Sequence, residues 1–234
     1  MLAANQDDAA GIFNLGNCYE NGEGVEKNTK KALELFLKAA KHEDVNPVVF
    51  FRLGSLYINS PEIERDEVKA AEYFQIGAEK GDVYAQSWYA NFYENGIGVI
   101  KNEEFARYWY LKAAEQGDAL AQNNLGYYFE HGIGGPVDMQ SALHWYGQSA
   151  SQENKVAQKL LGNCYYYGNG VQQDYEKAVF YYRKSAIQED PSAQHNLGYC
   201  YLNGIGVEKD EGIGLMWMRK SASNGNINAQ RYFF

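Results

Sequence analysis

Three cysteines, four histidines and twenty tyrosines are where this 234-residue chain concentrates reactive and recognising chemistry. Cys18, Cys164 and Cys200 could in principle serve a redox or metal centre, because a thiolate is both a nucleophile and a soft ligand. Their number is odd and no two are closely spaced, so neither a disulfide framework nor a zinc knuckle is indicated. His42, His131, His144 and His195 are scattered, without the His-x-x-x-His or His-Cys spacing that would aim two ligands at one metal. Ser, His and Asp are all present, but no nucleophile elbow singles out a serine. Five Gly-x-Gly turns recur after helices, and not as a dinucleotide fingerprint after a strand. We therefore expect no catalytic residue, no metal and no cofactor. The surplus of Tyr, with Trp and Asn among it, has recognition chemistry instead: rigid rings and amides lose little entropy when another protein covers them.

A repeat dictates where these side chains sit. With Gly16 as origin, equivalents fall at Gly54, Ala90, Gly126, Gly162 and Gly198, at intervals of 38, 36, 36, 36 and 36 residues, so six copies are present. Small residues at Ala85, Ala121, Ala157 and Ala193, five before the origin, share one helical face with an aromatic three after it: Tyr19, Tyr57, Tyr93, Phe129, Tyr165 and Tyr201. This is helix A. The first Gly of the turn that follows suits a left-handed C-cap. Twelve residues after each origin stands Asn28, Asp66, Asn102, Asp138, Asp174 or Asp210, side chains that cap the start of a helix B. Along helix B run a small residue and then a bulky one, Ala142 and Tyr146 in the fourth copy, so that rings on B fill gaps beside small residues on A. One such pair cannot bury its apolar face alone, and copies must stack.

The predicted fold is all-α: a right-handed α-α superhelix, or solenoid, of six antiparallel helix pairs plus partial terminal repeats. The boundaries are 1–8 for the tail of a preceding helix B, then 9–46, 47–82, 83–118, 119–154, 155–190 and 191–226 for the repeats, and 227–234 for a partial repeat or cap, all within a single solenoid over 1–234. The half-unit at the N-terminus is expected to be the cut end of a longer array, the alternative reading being half-helices that act as caps. Two irregularities are expected to matter. Repeat 2 replaces its Gly-x-Gly turn by a segment containing Pro61, and two extra residues lie in 41–47, so repeats 1 and 2 should pack differently from the rest. Gly212 and Gly214 should weaken the last helix B by about 1 kcal/mol each relative to Ala.

Composition excludes other classes. Apolar residues at 45% and charged residues at 22% describe a folded chain, and no stretch of 18 apolar residues exists to span a membrane. A net charge of −9 with no run of four basic residues argues against nucleic-acid binding. The opening residues lack the basic and apolar regions of a signal peptide, and the unpaired cysteines favour a reducing, cytoplasmic compartment. A monomer is expected.

The pattern A-x-x-x-L-G-x-x-Y-x-x-G-x-G-V-x-x-D-x-x-x-A-x-x-x-Y-x-K-A-A resembles the Sel-one-like repeat (SLR), a relative of the tetratricopeptide repeat with a longer loop between its helices. The resemblance covers essentially the whole chain and implies a scaffold or adaptor that binds protein. In the related arrays helix A lines a concave groove. Carried over by offset from the origin, the partner-facing positions include Trp88, Asn91 and Glu94 in repeat 3; Asn123, Tyr127 and Glu130 in repeat 4; Lys159, Asn163, Tyr166 and Tyr167 in repeat 5; and His195 and Tyr199 in repeat 6. The row Tyr127, Asn163, Tyr199 is the centre of this surface; its alternative reading is rings that only fill space between adjacent A helices. Glu20, Glu94 and Glu130 form a second row, alternatively a solvated face. The expected function is non-enzymatic binding of a peptide or partner-protein surface on the concave face. Its rivals are a bacterial immunity protein that occludes a toxin, and a hydrolase acting on cell-wall or β-lactam substrates.

Overall fold

The computed structural model describes residues 8–233, which form thirteen α-helices and no strands. They group into two compact units, Met1–Gln116 and Gly117–Phe234. The first holds α1 (Ala9–Asn21), α2 (Thr29–Ala39), α3 (Val48–Asn59), α4 (Glu67–Glu79), α5 (Val83–Asn95) and α6 (Glu103–Glu115). The second holds α7 (Ala119–His131), α8 (Met139–Ser151), α9 (Lys155–Tyr167), α10 (Tyr175–Ile187), α11 (Pro191–Asn203), α12 (Glu211–Ser223) and the short α13 (Ile227–Arg231). Odd-numbered helices are the expected A helices and even-numbered ones the B helices. Of the expected leading helix-B tail, residues 1–7 lie outside the described residues, as does Phe234 at the other end.

Helix starts follow the capping chemistry. Asn28, Asp66, Asn102, Asp138, Asp174 and Asp210 each accept a hydrogen bond from a first-turn backbone N–H of a B helix, for example from Lys31 at 2.9 Å and Lys177 at 2.9 Å. Asp82, Asp118, Asn154, Asp190 and Asn226 do the same for A helices, a second cap series that the sequence reading passed over. The first turn glycines Gly22, Gly96, Gly132, Gly168 and Gly204 end the A helices at φ between 66° and 77°, a conformation a Cβ would strain. Where repeat 2 lacks that glycine, α3 ends on Ser60 in extended conformation just ahead of Pro61. The extra residues of 41–47 make a turn that buries Val45 and lets Asn46 Oδ1 accept from Val48 N at 3.0 Å, and α2 meets α3 less extensively than α4 meets α5.

Within each unit an A helix packs on its own B helix and on the B helix before it. The buried rings Phe36, Phe74, Tyr146 and Tyr182 press on the origin glycines; a Cβ on Gly126 would come to 2.6 Å from Tyr146 Cδ1, which is why the position is glycine. In the last repeat the roles are exchanged: Gly214 on α12 makes room for Leu202 of α11, whose Cγ would lie 2.6 Å from an added Cβ. Gly214 is thus a packing position, and its propensity cost is set against that close approach.

A ladder of buried side-chain amides joins the helix ends. Gln86, Gln158 and Gln194, at the starts of A helices, donate to the carbonyls of Ala78, Ala150 and Ala186 on the preceding B helix. Each then accepts, through Oε1, from Gln116, Gln188 or Asn224 at the end of its own B helix, at 2.7, 2.8 and 3.0 Å. Gln152 donates to Gln122 in the same way at 2.8 Å. Four of these amides, Gln86, Gln122, Gln158 and Gln194, are buried, and polar groups removed from water demand such partners.

Candidate functional site

In the second unit, α7, α9 and α11 present the centre of the expected surface. Tyr127 and Tyr199 are 42% and 43% exposed, and Tyr167 is 66% exposed. Asn163 lies between them in repeat register and is held from two sides: its Oδ1 accepts from Tyr182 Oη at 2.9 Å and from Asn196 Nδ2 of the next A helix at 3.3 Å. Tyr127 lies on the His131 ring, 4.0 Å between centroids. Half-buried Tyr166 meets Tyr167 and Tyr175 edge-on at 4.9 and 5.3 Å, and its burial raises the phenol pKa. Asn123 Nδ2 donates to Asn124 Oδ1 at 3.3 Å, while its own buried Oδ1 has no partner. His195 Nδ1 faces Asn196 Oδ1 at 3.3 Å, and Lys159 is half-buried.

The row of carboxylates has a different occupation. Glu130 accepts from the buried Tyr146 hydroxyl of α8 at 2.6 Å, and Glu94 from the buried Tyr110 hydroxyl of α6 at 2.7 Å. These are interhelical ties inside one repeat. Glu20 sits opposite Phe36, which offers no hydroxyl, and instead lies 3.8 Å from Arg52 Nη1. The expected contribution of α5 is likewise inward: Trp88 stacks on Phe74 at 5.6 Å and meets Phe92 edge-on at 6.4 Å, and Asn91 beside it is half-buried. In the first unit, then, Trp88, Asn91 and Glu94 are half-buried, with Trp88 engaged by Phe74 and Glu94 by Tyr110. In the second, Tyr127, Tyr167 and Tyr199 are exposed.

Cys164 and Cys200 are buried among apolar neighbours, and burial pushes their thiols up to about 12 and about 11, the wrong direction for a thiolate nucleophile. Cys18 is half-buried. Among the described residues no group of three His, Cys, Asp or Glu side chains could hold a metal ion, and no helix is long and apolar enough to cross a membrane. One surface feature escaped the sequence reading: Tyr108, Phe180 and Met216, at one register position on B helices, are 51%, 54% and 41% exposed. Their spacing in multiples of 36 was the available signal.

The Sel1 repeat family model matches residues 9–44, 51–82, 83–118, 119–154, 155–190 and 191–226. No curated protein matches the chain. Among solved structures it is similar to a protective antigen present in uropathogenic Escherichia coli strains and displaying an SLR fold, with 34% identity and a TM-score of 0.89 over 96% of this chain and 48% of that one. A Sel1 repeat protein from Oxalobacter formigenes is 33% identical, with a TM-score of 0.84 over 97% of this chain and 65% of that one. The chain therefore spans 48% and 65% of the lengths of these two relatives. An immunity protein from Pseudomonas aeruginosa, 17% identical, shares the fold with a TM-score of 0.54 over 97% of this chain and 85% of its own.

Proposed function

Since the chain belongs to the Sel1 repeat family, whose repeats generally mediate protein–protein interaction, we propose that it is a non-catalytic scaffold or adaptor that binds a peptide or partner-protein surface on its helix-A face. The observation that carries this reading is the outward set Tyr127, Tyr167 and Tyr199 on three successive A helices of one unit. The neighbouring polar groups serve as its frame: Asn163 is fixed by Tyr182 and Asn196, and Glu130 by Tyr146. Tyr127 lies against His131 and Tyr167 against Tyr166, ring contacts that restrict these side chains before a partner arrives and so lower the entropy its contact would cost. The remaining positions, Asn123, Lys159, Tyr166 and His195, extend this set along the A helices of the second unit, and the half-buried Trp88, Asn91 and Glu94 are the equivalent positions of the first.

The test is affinity capture with the intact chain. Tyr127→Ala combined with Tyr199→Ala should abolish capture of the partner while helical circular dichroism is unchanged, because both side chains are largely outside the core. Phe180→Ala, on the helix-B side, should leave capture intact. Capture that survives the tyrosine pair and fails with Phe180→Ala would place binding on the opposite face and refute the reading.

A further inference from the structure

Asn-Gly is a dipeptide at which a protein chain readily modifies itself, because the glycine main-chain nitrogen, unhindered by a neighbouring side chain, lies within reach of the asparagine Cγ. The chain has such pairs at Asn21, Asn95, Asn169, Asn203 and Asn224. Four of them are held at both reacting groups. Gly22 N, Gly96 N and Gly204 N donate to the carbonyls of Cys18, Phe92 and Cys200 as helix caps, and Gly225 N donates to Ala222 O at 3.1 Å. The amides ahead of them are tied as well. Asn21 Nδ2 donates to Glu23 Oε1 at 3.2 Å, Asn95 Nδ2 to Asn91 O at 2.9 Å, Asn203 Nδ2 to Tyr199 O at 2.8 Å and Asn224 Nδ2 to Gln194 Oε1 at 3.0 Å.

The pair of Asn169 and Gly170 is held at neither. Repeat 5 carries its asparagine two positions later in the turn, so the nitrogen that caps α9 belongs to Gly168 and the one that follows the asparagine belongs to Gly170. Among the described residues neither Gly170 N nor the Asn169 side chain has a hydrogen bond, and both residues are exposed. The equivalents Ile97 and Ile205 in repeats 3 and 6 pack against the core, a contact that exposed Asn169 does not make.

We propose that Asn169 is a site of spontaneous deamidation through a cyclic imide, and that its conversion to isoaspartate releases this turn from α8. Gly170 N gives up its proton to hydroxide and bonds to Asn169 Cγ, while the Cγ–Nδ2 bond breaks and the nitrogen leaves as ammonia. Water then opens the imide. Opening at Cγ yields aspartate; opening at the main-chain carbonyl carbon yields isoaspartate, whose backbone runs through the former side chain and is longer by one methylene. The turn has no space for that carbon. Gly170 O accepts from Gln140 Nε2 of α8 at 2.9 Å, and a Cβ on Gly170 would already stand 2.8 Å from Met139 Cβ. A lengthened backbone must therefore lift Gly170 off α8, loosening the junction between repeats 4 and 5 while their helices persist.

The full chain, aged in mildly alkaline buffer at physiological temperature and then digested, tests this by peptide mapping. Conversion is read as the mass gain from NH2 to OH, and isoaspartate by labelling with an isoaspartyl methyltransferase. Asn169 should convert about tenfold or more faster than each of the other four, whose reacting groups must first break their hydrogen bonds. In guanidinium chloride, where those bonds are gone, all five should convert at similar rates. Hydrogen exchange in the 168–174 turn and in α8 should quicken in step with conversion, and Asn169→Ala should age without either change. Conversion of any other pair as fast as Asn169 in the folded chain overturns the proposal, as does Asn169 reacting about tenfold or more slowly folded than unfolded. Isoaspartate at 169 without faster exchange in the turn and α8 overturns the released junction.

Discussion

Replacing Tyr146 by Phe deletes one oxygen from a fully buried ring and leaves the packing on Gly126 in place, so the cost is the hydrogen bond alone. That bond is short, 2.6 Å, and its acceptor is the Glu130 carboxylate; burial first, and then this bond, raise the Tyr146 pKa well above its ordinary value. A hydrogen bond to a charged group contributes about 1.5–3 kcal/mol, and Glu130, half-buried, would keep its desolvation penalty after losing its donor. Tyr146→Phe should therefore destabilise the second unit by about 1.5–3 kcal/mol. The chain itself shows how the loss is undone. By register, Phe74 faces Ile58 in repeat 2 and Met218 faces Leu202 in repeat 6, two repeats that lack hydroxyl and carboxylate together, whereas Glu20 opposite Phe36 in repeat 1 lies 3.8 Å from Arg52 Nη1 instead. Tyr146→Phe combined with Glu130→Leu should accordingly lie within about 1 kcal/mol of the parent, because removing both partners is far cheaper than removing one. Urea unfolding followed by circular dichroism gives the cycle, and hydrogen exchange in α7 and α8 localises it, since stacked repeats can depart from two-state behaviour. A Tyr146→Phe variant within about 0.3 kcal/mol of the parent, or a double variant as unstable as the sum of its singles, would refute the reasoning.

Gly206 and Gly225 both adopt positive φ, 67° and 90°, but only at Gly206 would a Cβ strike main chain, the carbonyl of Tyr175. Thermal melts should show Gly225→Ala losing about 1–2 kcal/mol and Gly206→Ala clearly more; equal losses would remove the steric argument. Stability should also fall at both ends of the pH scale. Burial raises the pKa of Tyr146 and Tyr182, so the stability this carries is complete below about pH 10 and is lost as pH climbs toward the raised folded values. Ultraviolet titration should show these phenols ionising together with unfolding. Backbone hydrogen bonds from Lys69 and Lys177 lower the pKa of the caps Asp66 and Asp174, so their stabilisation is present above about pH 4 and lost as pH falls through the depressed values. Asp66→Asn, which keeps a capping oxygen, should flatten the acid limb, and an unchanged limb would count against the caps.

The period, the caps of the B helices and the glycine ends of the A helices were readable because each is a local rule: a free N–H or a positive φ demands a particular residue type at a particular place. The functions of the polar residues were not, because they depend on what lies across the helix pair. Glu94 and Glu130 look like surface residues until their register is matched to Tyr110 and Tyr146, a pairing that the apolar couples Ile58 with Phe74 and Leu202 with Met218 make visible in retrospect. Gln86, Gln122, Gln158 and Gln194 recur at 36-residue intervals, but glutamine is an ordinary exposed residue, and only burial reveals them as structural. The loop positions Glu153 and Glu189, at φ of 62° and 63°, stand where Gly81 and Gly225 stand in other repeats, a cost at Glu153 set against bonds from Gln158 and Lys184.

The amide ladder also governs how such a chain can change in length. Each rung joins residues 30 positions apart and then reaches 8 positions back to the preceding helix, so adding or removing a few residues inside a repeat that carries it would leave a buried amide facing nothing. The irregular insertion lies in 41–47, in the part of the chain that has no glutamine at these register positions. Evolution, or an engineer, is left with whole-unit currency: duplication or excision in steps of 36 residues preserves every rung, whereas intermediate lengths are filtered out by unpaired polar groups before selection for binding can act.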